Sequence, residues 1–490
     1  MKIRVVIGAL VIGLAVVVGT AHAAFDDYFV DRTMRIDYHH TGDANTEIVS
    51  IDRVYEYGTW AGSLENFVDQ LNYGAYYHKI YDADSGELIY SRGFDSYFKE
   101  YQTSAKGRDG VIKTFHESAI IPSPKAKVIF ALEKRQKEGH LEEVFRAEID
   151  PEDVMIIRDE AADASVKVIE SLFNGDPHVK ADIAIIAEGY TADEEPKFRS
   201  DLKRFTKVFF TEDPCKSHRE HFNVYGVFKP SQQSGIDEPR HGSFRSSAVS
   251  ATFNSMGSER YILTEDNKAL RDIARHVPYD ALYIMINHHR YGGGGIYNFY
   301  CTFTADNQWS EYLMVHEFGH SFFGLADEYY TSVVAYEDFY PPGYEPAEPN
   351  ITAALDVENV KWKHLLTEDI EVPTPWEKAD YDTMSLAWQR LRGKLNDRIA
   401  KLRREGAPEE EVTAAEEEYN RRDREHALNA HEYLKASKHA GQVGVFEGAG
   451  YAIKGLYRPM VDCIMFTKAQ KRFCKVCEEA MIKIIEWYSE

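Results

Sequence analysis

The chain of 490 residues carries 80 acidic and 57 basic side chains, which gives a formal net charge of −23. Such an acidic surface lacks the basic stripe that neutralises phosphates, so the composition argues against a nucleic-acid partner. The length is sufficient for two or three domains, each with its own hydrophobic core.

The first 23 residues have the pattern of a secretory signal peptide. Lys2 and Arg4 precede an apolar run over residues 5–18, and Ala21-His22-Ala23 closes the segment. This pattern predicts cleavage after Ala23 and export to the periplasm, the cell surface or the medium. No later stretch has the apolar length of a membrane span, so we expect the mature chain not to cross a membrane. An uncleaved anchor is the alternative.

Residues 24–155 are predicted to form an antiparallel β-sandwich. Apolar and polar residues alternate over residues 33–38 and 127–132, and turn sequences such as Asp84-Ser85-Gly86 separate such runs. Alternation with a period of two is typical of strands with one buried face. The many tyrosines in this region offer a glycan-binding surface as an alternative, although aromatic residues on strands are more often part of the core.

Residues 156–490 are predicted to form a second domain in which strands and helices alternate. Residues 182–187 and 281–287 are apolar runs suited to central strands, and four glycines at 292–295 predict a segment that approaches its neighbours closely. We expect residues 296–304 to form an edge strand to which a peptide substrate adds. His288 and His289 precede the glycines and are more simply solvated than metal-bound.

Residues 316–320 read His-Glu-Phe-Gly-His within an apolar, helix-compatible stretch. On a helix, His316 and His320 lie one turn apart on the same face, so both imidazoles can bind one metal ion. Glu317 would lie beside that ion. The pattern indicates Zn²⁺ as the cofactor, and the alternative is a pair of ordinary histidines on a buried helix.

The residues that follow the motif offer a third ligand. Gly324 stands where a helix C-cap is expected, and the acids Asp327 and Glu328 come just after it. A chain that turns sharply at this point can return one acid to the metal and leave one coordination position open to water. An open position is typical of catalytic rather than structural zinc.

Such a site predicts a hydrolase. Zinc polarises a carbonyl and lowers the pKa of water, and Glu317 would accept the proton of that water and pass it to the leaving amine. Peptide bonds of protein or peptide substrates are the expected target. A surface adhesin or glycan-binding protein with a vestigial or structural metal site is the alternative, but such a protein needs no base at Glu317. Hydrolysis of a small amide or ester is a third interpretation.

Residues 385–438 are rich in Arg, Lys, Glu, Ala and Leu. Leu391, Leu395 and Ile399 recur at helical spacing, and Gly406-Ala407-Pro408 interrupts the pattern. This arrangement predicts a helical hairpin inserted into the second domain.

Five cysteines are too few for a disulfide scaffold. Cys474 and Cys477 have the spacing of half a zinc knuckle or a redox pair, but the chain has no second pair at knuckle spacing. They fall within residues 468–487, a predicted terminal helix. We expect buried or partly paired cysteines, and a single local disulfide involving Cys463 is an alternative.

Residues 316–329, together with Asn287, Tyr291-Gly292-Gly293 and the strand-turn 187–191, resemble the IgA-peptidase family of secreted bacterial zinc metallopeptidases. The similarity extends from about Asp182 to Cys463, and the preceding domain resembles that family's amino-terminal domain. The resemblance implies a zincin-like catalytic fold related to metzincins. The expected fold class is therefore multidomain α+β, with an amino-terminal β-sandwich before a zincin-like α/β metallopeptidase domain that contains the inserted hairpin.

The resemblance also implies a ligand set. His316 and His320 would bind zinc with one acid of the Asp327-Glu328 pair. We expect Asp327, because its shorter side chain emerges first after the turn and leaves Glu328 to orient a histidine. Glu337, from a later helix, is the alternative third ligand.

Metzincins place a methionine below the metal, and residues 457–465 resemble that turn. Met465 is the expected methionine and Met460 the second choice, although methionines near a carboxy terminus are often only core residues. Tyr457 is predicted to stabilise the oxyanion of the reaction. The predicted protein is an exported zinc endopeptidase with Glu317 and Tyr457 as its catalytic residues.

Overall fold

The structure, a computed structural model, describes residues 24–159, 163–332, 334 and 339–489. The predicted signal segment and the alternative ligand Glu337 lie outside these residues. Within the described ranges, no helix combines the length and the apolar character needed to cross a bilayer.

The amino-terminal part of the chain consists of two antiparallel sheets. Its elements are α1 (Phe25–Tyr28), β1 (Phe29–Gly42), β2 (Glu47–Tyr57), β3 (Tyr76–Asp82), β4 (Leu88–Phe94), α2 (Tyr97–Thr103), α3 (Ala105–Arg108), β5 (Lys113–Pro124), β6 (Val128–Arg135) and β7 (Leu141–Ile149). The strand orders are β2-β1-β5 and β4-β3-β6-β7. The antiparallel β structure predicted for this region is confirmed.

The two sheets share one hydrophobic core. It includes Ile36 of β1, Ile80 of β3 and Phe130 of β6. Tyr38 and Tyr76 are buried in the same core, so these strand tyrosines stabilise the fold instead of presenting their rings to a ligand.

The rest of the chain contains a mixed six-stranded sheet surrounded by helices. Its elements are β8 (Lys167–Leu172), β9 (Ala181–Glu188), α4 (Glu195–Phe209), β10 (Phe222–Phe228), α5 (Asn267–Ala274), β11 (Ala281–Ile286), β12 (Gly293–Ile296), β13 (Tyr300–Thr304), α6 (Ser310–Ser321), α7 (Lys378–Glu405), α8 (Glu409–Lys435), β14 (Phe446–Ala449), β15 (Ala452–Arg458) and α9 (Lys475–Ser489). The sheet order is β12-β13-β11-β9-β10-β8, and β14 pairs with β15 separately.

The four inner strands of this sheet are parallel, and the two edge strands are antiparallel to their neighbours. Ile183 and Ile185 of β9 belong to the core that contains residues of α4, α6 and α9. Ala184 and Ile186 belong to the core on the other face, with residues of α5. Because both faces of the sheet are covered by other elements, the central strands are continuous apolar runs. The chain is therefore a mixed α/β multidomain protein.

The edge strand differs from the prediction. The edge strand is β12 (Gly293–Ile296), and most of the predicted segment forms β13 (Tyr300–Thr304), which lies between β12 and β11. The glycines allow this: a Cβ at Gly295 would lie 2.5 Å from the carbonyl oxygen of Glu317. The close approach expected of the glycine segment is confirmed, but it occurs in a strand that packs against α6 and not in a loop.

The carboxy-terminal segment also differs from the prediction. Helix α9 begins at Lys475 rather than near residue 468, so Cys474 directly precedes the helix. All five cysteines are buried with free thiols, and the alternative, a local disulfide at Cys463, is not formed.

Helices α7 and α8 pack against each other and lie between α6 and β14 in the chain. Gly406, with a φ of +66°, ends α7, and Pro408 precedes α8. Asp423 of α8 is 1% exposed, accepts a hydrogen bond from Trp309 Nε1 at 2.7 Å and pairs with Lys468 at 3.0 Å. These contacts join the helix pair to the start of α6 and to the carboxy-terminal segment.

Replacing Asp423 with Ala should remove its contacts with Trp309 and Lys468. Lys468 would be left mostly buried without its carboxylate partner, and breaking a buried pair from one side costs about 3 kcal/mol. Urea denaturation should show this loss in the free energy of unfolding. Glu417→Ala, at an exposed position of α8, is the matched control and should change stability by less than about 0.5 kcal/mol. Equal stability of the two variants would contradict the docking role of Asp423.

Candidate metal centre

Helix α6 and the turn after it form the framework of the centre. Gly324 adopts a φ of +59°, in the left-handed region that favours glycine. The Gly324 N–H donates to the carbonyl of His320 at 3.1 Å, and the Leu325 N–H donates to the carbonyl of Gly319 at 2.9 Å. These bonds cap the helix and return residues 325–328 alongside its last turn.

His316, His320 and Asp327 converge. The Nε2 atoms of the two imidazoles are 3.2 Å apart, and Oδ1 of Asp327 lies 3.1 Å from the first and 3.2 Å from the second. Two imidazole nitrogens and one carboxylate oxygen are a donor set typical of catalytic zinc sites. The three residues that sequence analysis named as ligands are thus brought together.

Both histidine rings are held with Nε2 facing Asp327. Nδ1 of His316 donates to the carbonyl of Ile464 at 3.1 Å, and Nδ1 of His320 donates to the carbonyl of Leu325 at 2.6 Å. A carbonyl only accepts, so Nδ1 of each ring carries a proton, and Nε2 is the nitrogen that a metal would bind in place of a proton.

Asp327 fits the same role. Its Oδ1 is buried without a hydrogen-bond donor, while Oδ2 accepts a bond from the Tyr451 hydroxyl at 2.7 Å. Burial disfavours its charge, but the adjacent His320 and His316 hold the pKa of Asp327 well below its usual range. Burial likewise opposes the charge of His320, yet Asp327 raises the pKa of His320 to about 9. The cluster therefore favours positive charge between its members, which a divalent cation supplies.

Glu317 lies at the centre as well, because one of its carboxylate oxygens is within 4.8 Å of a ring nitrogen of His316 and of His320. Its side chain is 8% exposed and lines a cavity of about 450 Å³. A Cβ at Gly293 would lie 2.9 Å from Glu317 Oε1, so the absence of a side chain on β12 makes room for the carboxylate. Burial raises the pKa of Glu317, against the lowering effect of the His316 charge.

The cavity is bordered by three parts of the chain. The amino-terminal sheets and short helices supply Lys99 and Lys134, helices α7 and α8 supply Trp388 and His426, and the remaining lining comes from around α6 and β12. A substrate that reaches Glu317 therefore meets all three parts.

Met465, the first choice for the methionine of the turn, packs against helix α6. Its Sδ lies 2.8 Å from the point that a Cβ of Gly319 would occupy, so it packs against α6 between the two histidines. The carbonyl of Met465 accepts the N–H of Glu328 at 2.9 Å, which ties this segment to the turn. Met460 is a partly buried residue packed at the side of the core.

The two remaining predictions are not matched by the geometry. Glu328 does not contact either histidine, because its carboxylate points towards Asn350, Cys474 and Cys477. Tyr457 lies on β15, where its backbone pairs with Thr352, and it is not among the residues that line the cavity. The structure does not bring Tyr457 to the centre.

Sequence reasoning missed several residues around the centre. Tyr451 supports Asp327, and Asn350 bonds both the N–H and the carbonyl of Ala326, which holds the turn. Arg260 lines the cavity, and its Nη2 lies 3.3 Å from the Tyr329 hydroxyl. Each is far from the motif in sequence or carries no local signature, so no pattern pointed to it.

Comparison with known families gives two matches. The family described as IgA Peptidase M64 matches residues 169–485, and the family described as Peptidase M64 N-terminus matches residues 24–146. A search of curated proteins found no match to the chain. The first match includes every residue of the convergent cluster and covers more than half of the chain.

Replacing Tyr451 with Phe should weaken metal binding at the centre. The change removes the hydroxyl that orients Asp327 but keeps the ring, and losing such a supporting bond lowers metal affinity by about 10- to 100-fold. Titration of the metal-free protein with Zn²⁺ against a chromophoric chelator measures this affinity. Tyr457→Phe is the matched control and should bind as the parent does. If Tyr451→Phe also binds normally, Asp327 needs no support from that hydroxyl.

Proposed function

The chain belongs to the IgA peptidase M64 family, and from this membership and the geometry at α6 we propose that it is a zinc-dependent endopeptidase. Membership makes it a peptidase of a metallopeptidase family, whose substrates are proteins or peptides. The observation that carries the finer proposal is the convergence of His316, His320 and Asp327 beside Glu317. The return of the chain after the helix and Met465 below it support a zincin-like, metzincin-related catalytic domain.

His316, His320 and Asp327 would hold the zinc ion. When bound, zinc supplies Lewis acidity to the substrate carbonyl and to water. Glu317 would take a proton from the attacking water at its carboxylate and deliver it to the leaving amine. Its position supports this role, because its carboxylate lies beside the two imidazoles and lines the cavity that a substrate would enter.

Arg260 is the residue we propose for stabilising the developing oxyanion, in place of Tyr457. It lines the cavity, and its charge interacts with Asp327, Tyr329 and Tyr291. A fixed cation that faces the reacting carbonyl stabilises the charge that forms in the transition state.

Strand β12 is the proposed binding edge for the peptide backbone. The Gly293 N–H donates to the carbonyl of Arg260, and its carbonyl accepts the N–H of Ile262. Because hydrogen-bonding groups alternate along a strand, Gly295 faces the same side as Gly293, at the wall of the cavity. A substrate strand that bonds to Gly295 would lie across the centre.

We expect Glu317→Gln to lower peptidase activity by about 10²- to 10⁴-fold, because the side chain keeps its size but no longer accepts a proton. Its metal content should equal that of the parent. Digestion of an unbiased peptide library, followed by mass spectrometry, measures activity without a known substrate. A chelator should abolish cleavage by the parent, and added Zn²⁺ should restore it.

Glu311→Gln provides the matched control, since Glu311 is an exposed acid on the same helix. It should cleave the library as the parent does. Normal cleavage by Glu317→Gln would refute the proposed base. A parent that binds metal but cleaves no peptide would favour the adhesin or glycan-binding alternative.

We also propose that residues 1–23 direct export of the protein. The basic start, apolar middle and small-residue end support this. Protein recovered outside the cytoplasm should begin at Ala24 by amino-terminal sequencing. Leu14→Arg interrupts the apolar run and should retain the protein in the cell, whereas Lys2→Arg keeps the basic start and should not. Export of Leu14→Arg at the parental level would contradict the proposal.

A further inference from the structure

A second cluster of metal-binding side chains lies behind the turn. Glu328, Cys463, Cys474 and Cys477 each place one ligand atom within 4.8 Å of the others. All four side chains are buried, and Glu328 and two of the cysteines have no exposed surface. The cluster does not face the cavity and shares no residue with the centre at His316.

The spacing of these atoms matches the edges of a tetrahedral site. Zinc binds sulfur at about 2.3 Å and oxygen at about 2.0 Å, so tetrahedral neighbours lie about 3.8 Å apart for two sulfurs and about 3.5 Å apart for sulfur and oxygen. The Sγ atoms of Cys463 and Cys477 are 3.9 Å apart. Oε1 of Glu328 lies 3.4 Å from Cys477 Sγ and 3.8 Å from Cys474 Sγ.

The carboxylate of Glu328 points independently to a cation. Its Oε1 accepts a bond from Asn350 at 3.2 Å, but its Oε2 is buried without a donor. An ionised carboxylate buried without full compensation is costly, and a bound metal supplies the missing partner.

Two of the three sulfur atoms accept hydrogen bonds from the backbone. The Cys474 N–H donates to Cys463 Sγ at 3.2 Å, and the Cys477 N–H donates to Cys474 Sγ at 3.4 Å. Hydrogen bonds to sulfur and the amino-terminal end of α9 both favour negative charge. The buried Arg458 interacts with the charge of Glu328 and would offset the net negative charge of a zinc ion with four anionic ligands.

A disulfide explains this arrangement less well. A disulfide joins two sulfurs at about 2.05 Å, whereas the closest approach between Cys463 and Cys477 is nearly twice that distance. A pair would also leave the third cysteine and the carboxylate of Glu328 unexplained.

We propose that Glu328, Cys463, Cys474 and Cys477 bind a second zinc ion in a closed, four-coordinate structural site. The three thiols would each release a proton to solvent as the zinc–sulfur bonds form. This inference goes beyond the proposed peptidase function. With all four positions filled by side chains, the site leaves none for water or substrate.

The second site would hold together segments of the chain that also form the centre at His316. Glu328 follows Asp327, and Cys463 precedes Ile464 and Met465, which contact His316 and α6. Cys474 and Cys477 add the start of α9. One ion would therefore fix the turn, the methionine segment and the terminal helix relative to each other.

Metal analysis of the full chain tests the proposal. The parent should contain about two zinc ions per chain, and Cys474→Ser/Cys477→Ser about one. Cys215→Ser changes a buried cysteine outside the cluster and should retain two. Replacement of zinc by Co²⁺ should produce thiolate-to-cobalt charge-transfer absorption in the parent, and this absorption should disappear in the double serine variant.

The variant His316→Ala/His320→Ala separates the two sites. It should keep the charge-transfer absorption whether or not the peptidase proposal is correct, and it should lose one metal ion if the first site holds zinc. A parent without that absorption would overturn the second site, even if the serine variant fails to fold. The proposal would also be overturned if the unreduced parent were lighter by two hydrogens and peptide mapping showed a disulfide between two of the three cysteines.

Discussion

The return of Asp327 to the two imidazoles of α6 is the contact on which the centre depends. It requires the chain to reverse within a few residues, and Gly324 makes this possible by adopting a left-handed conformation. A Cβ there would lie 3.1 Å from the ring of Tyr297 and would strain the backbone. The same reversal places the Leu325 carbonyl on Nδ1 of His320, so one turn both brings Asp327 to the imidazoles and orients one of them.

Residues distant in sequence orient the side chains that the turn brings together. The Ile464 carbonyl orients His316, Met465 packs against Gly319, and the Tyr451 hydroxyl bonds to Oδ2 of Asp327. Glu328 is drawn to the opposite side by Asn350 and the cysteines. Asp327 and Glu328 therefore point into different clusters, because successive side chains in an extended segment point in opposite directions.

The rest of the fold forms the cavity around the centre. The parallel sheet supports α6 from one side, and the glycines of β12 let the edge strand approach Glu317. The amino-terminal sheets and helices α7 and α8 close the cavity around it. The chain carries a net charge of −23, whereas the cavity is lined by basic side chains such as Arg260 and Lys468 and by acidic ones such as Glu100 and Asp423.

Sequence alone determined what depends on local spacing. Helical periodicity placed His316, Glu317 and His320 together, apolar runs marked β9 and β11, and strand alternation indicated the amino-terminal sheets. Only the tertiary structure showed that Asp327, and not Glu328, faces the imidazoles and that β12 is the edge of the six-stranded sheet. It also placed Tyr457 outside the cavity and the cysteines around Glu328. Tyr451 is 124 residues from Asp327, and Cys477 is 149 residues from Glu328. Such contacts arise from packing between elements, which a periodic pattern within one element does not encode.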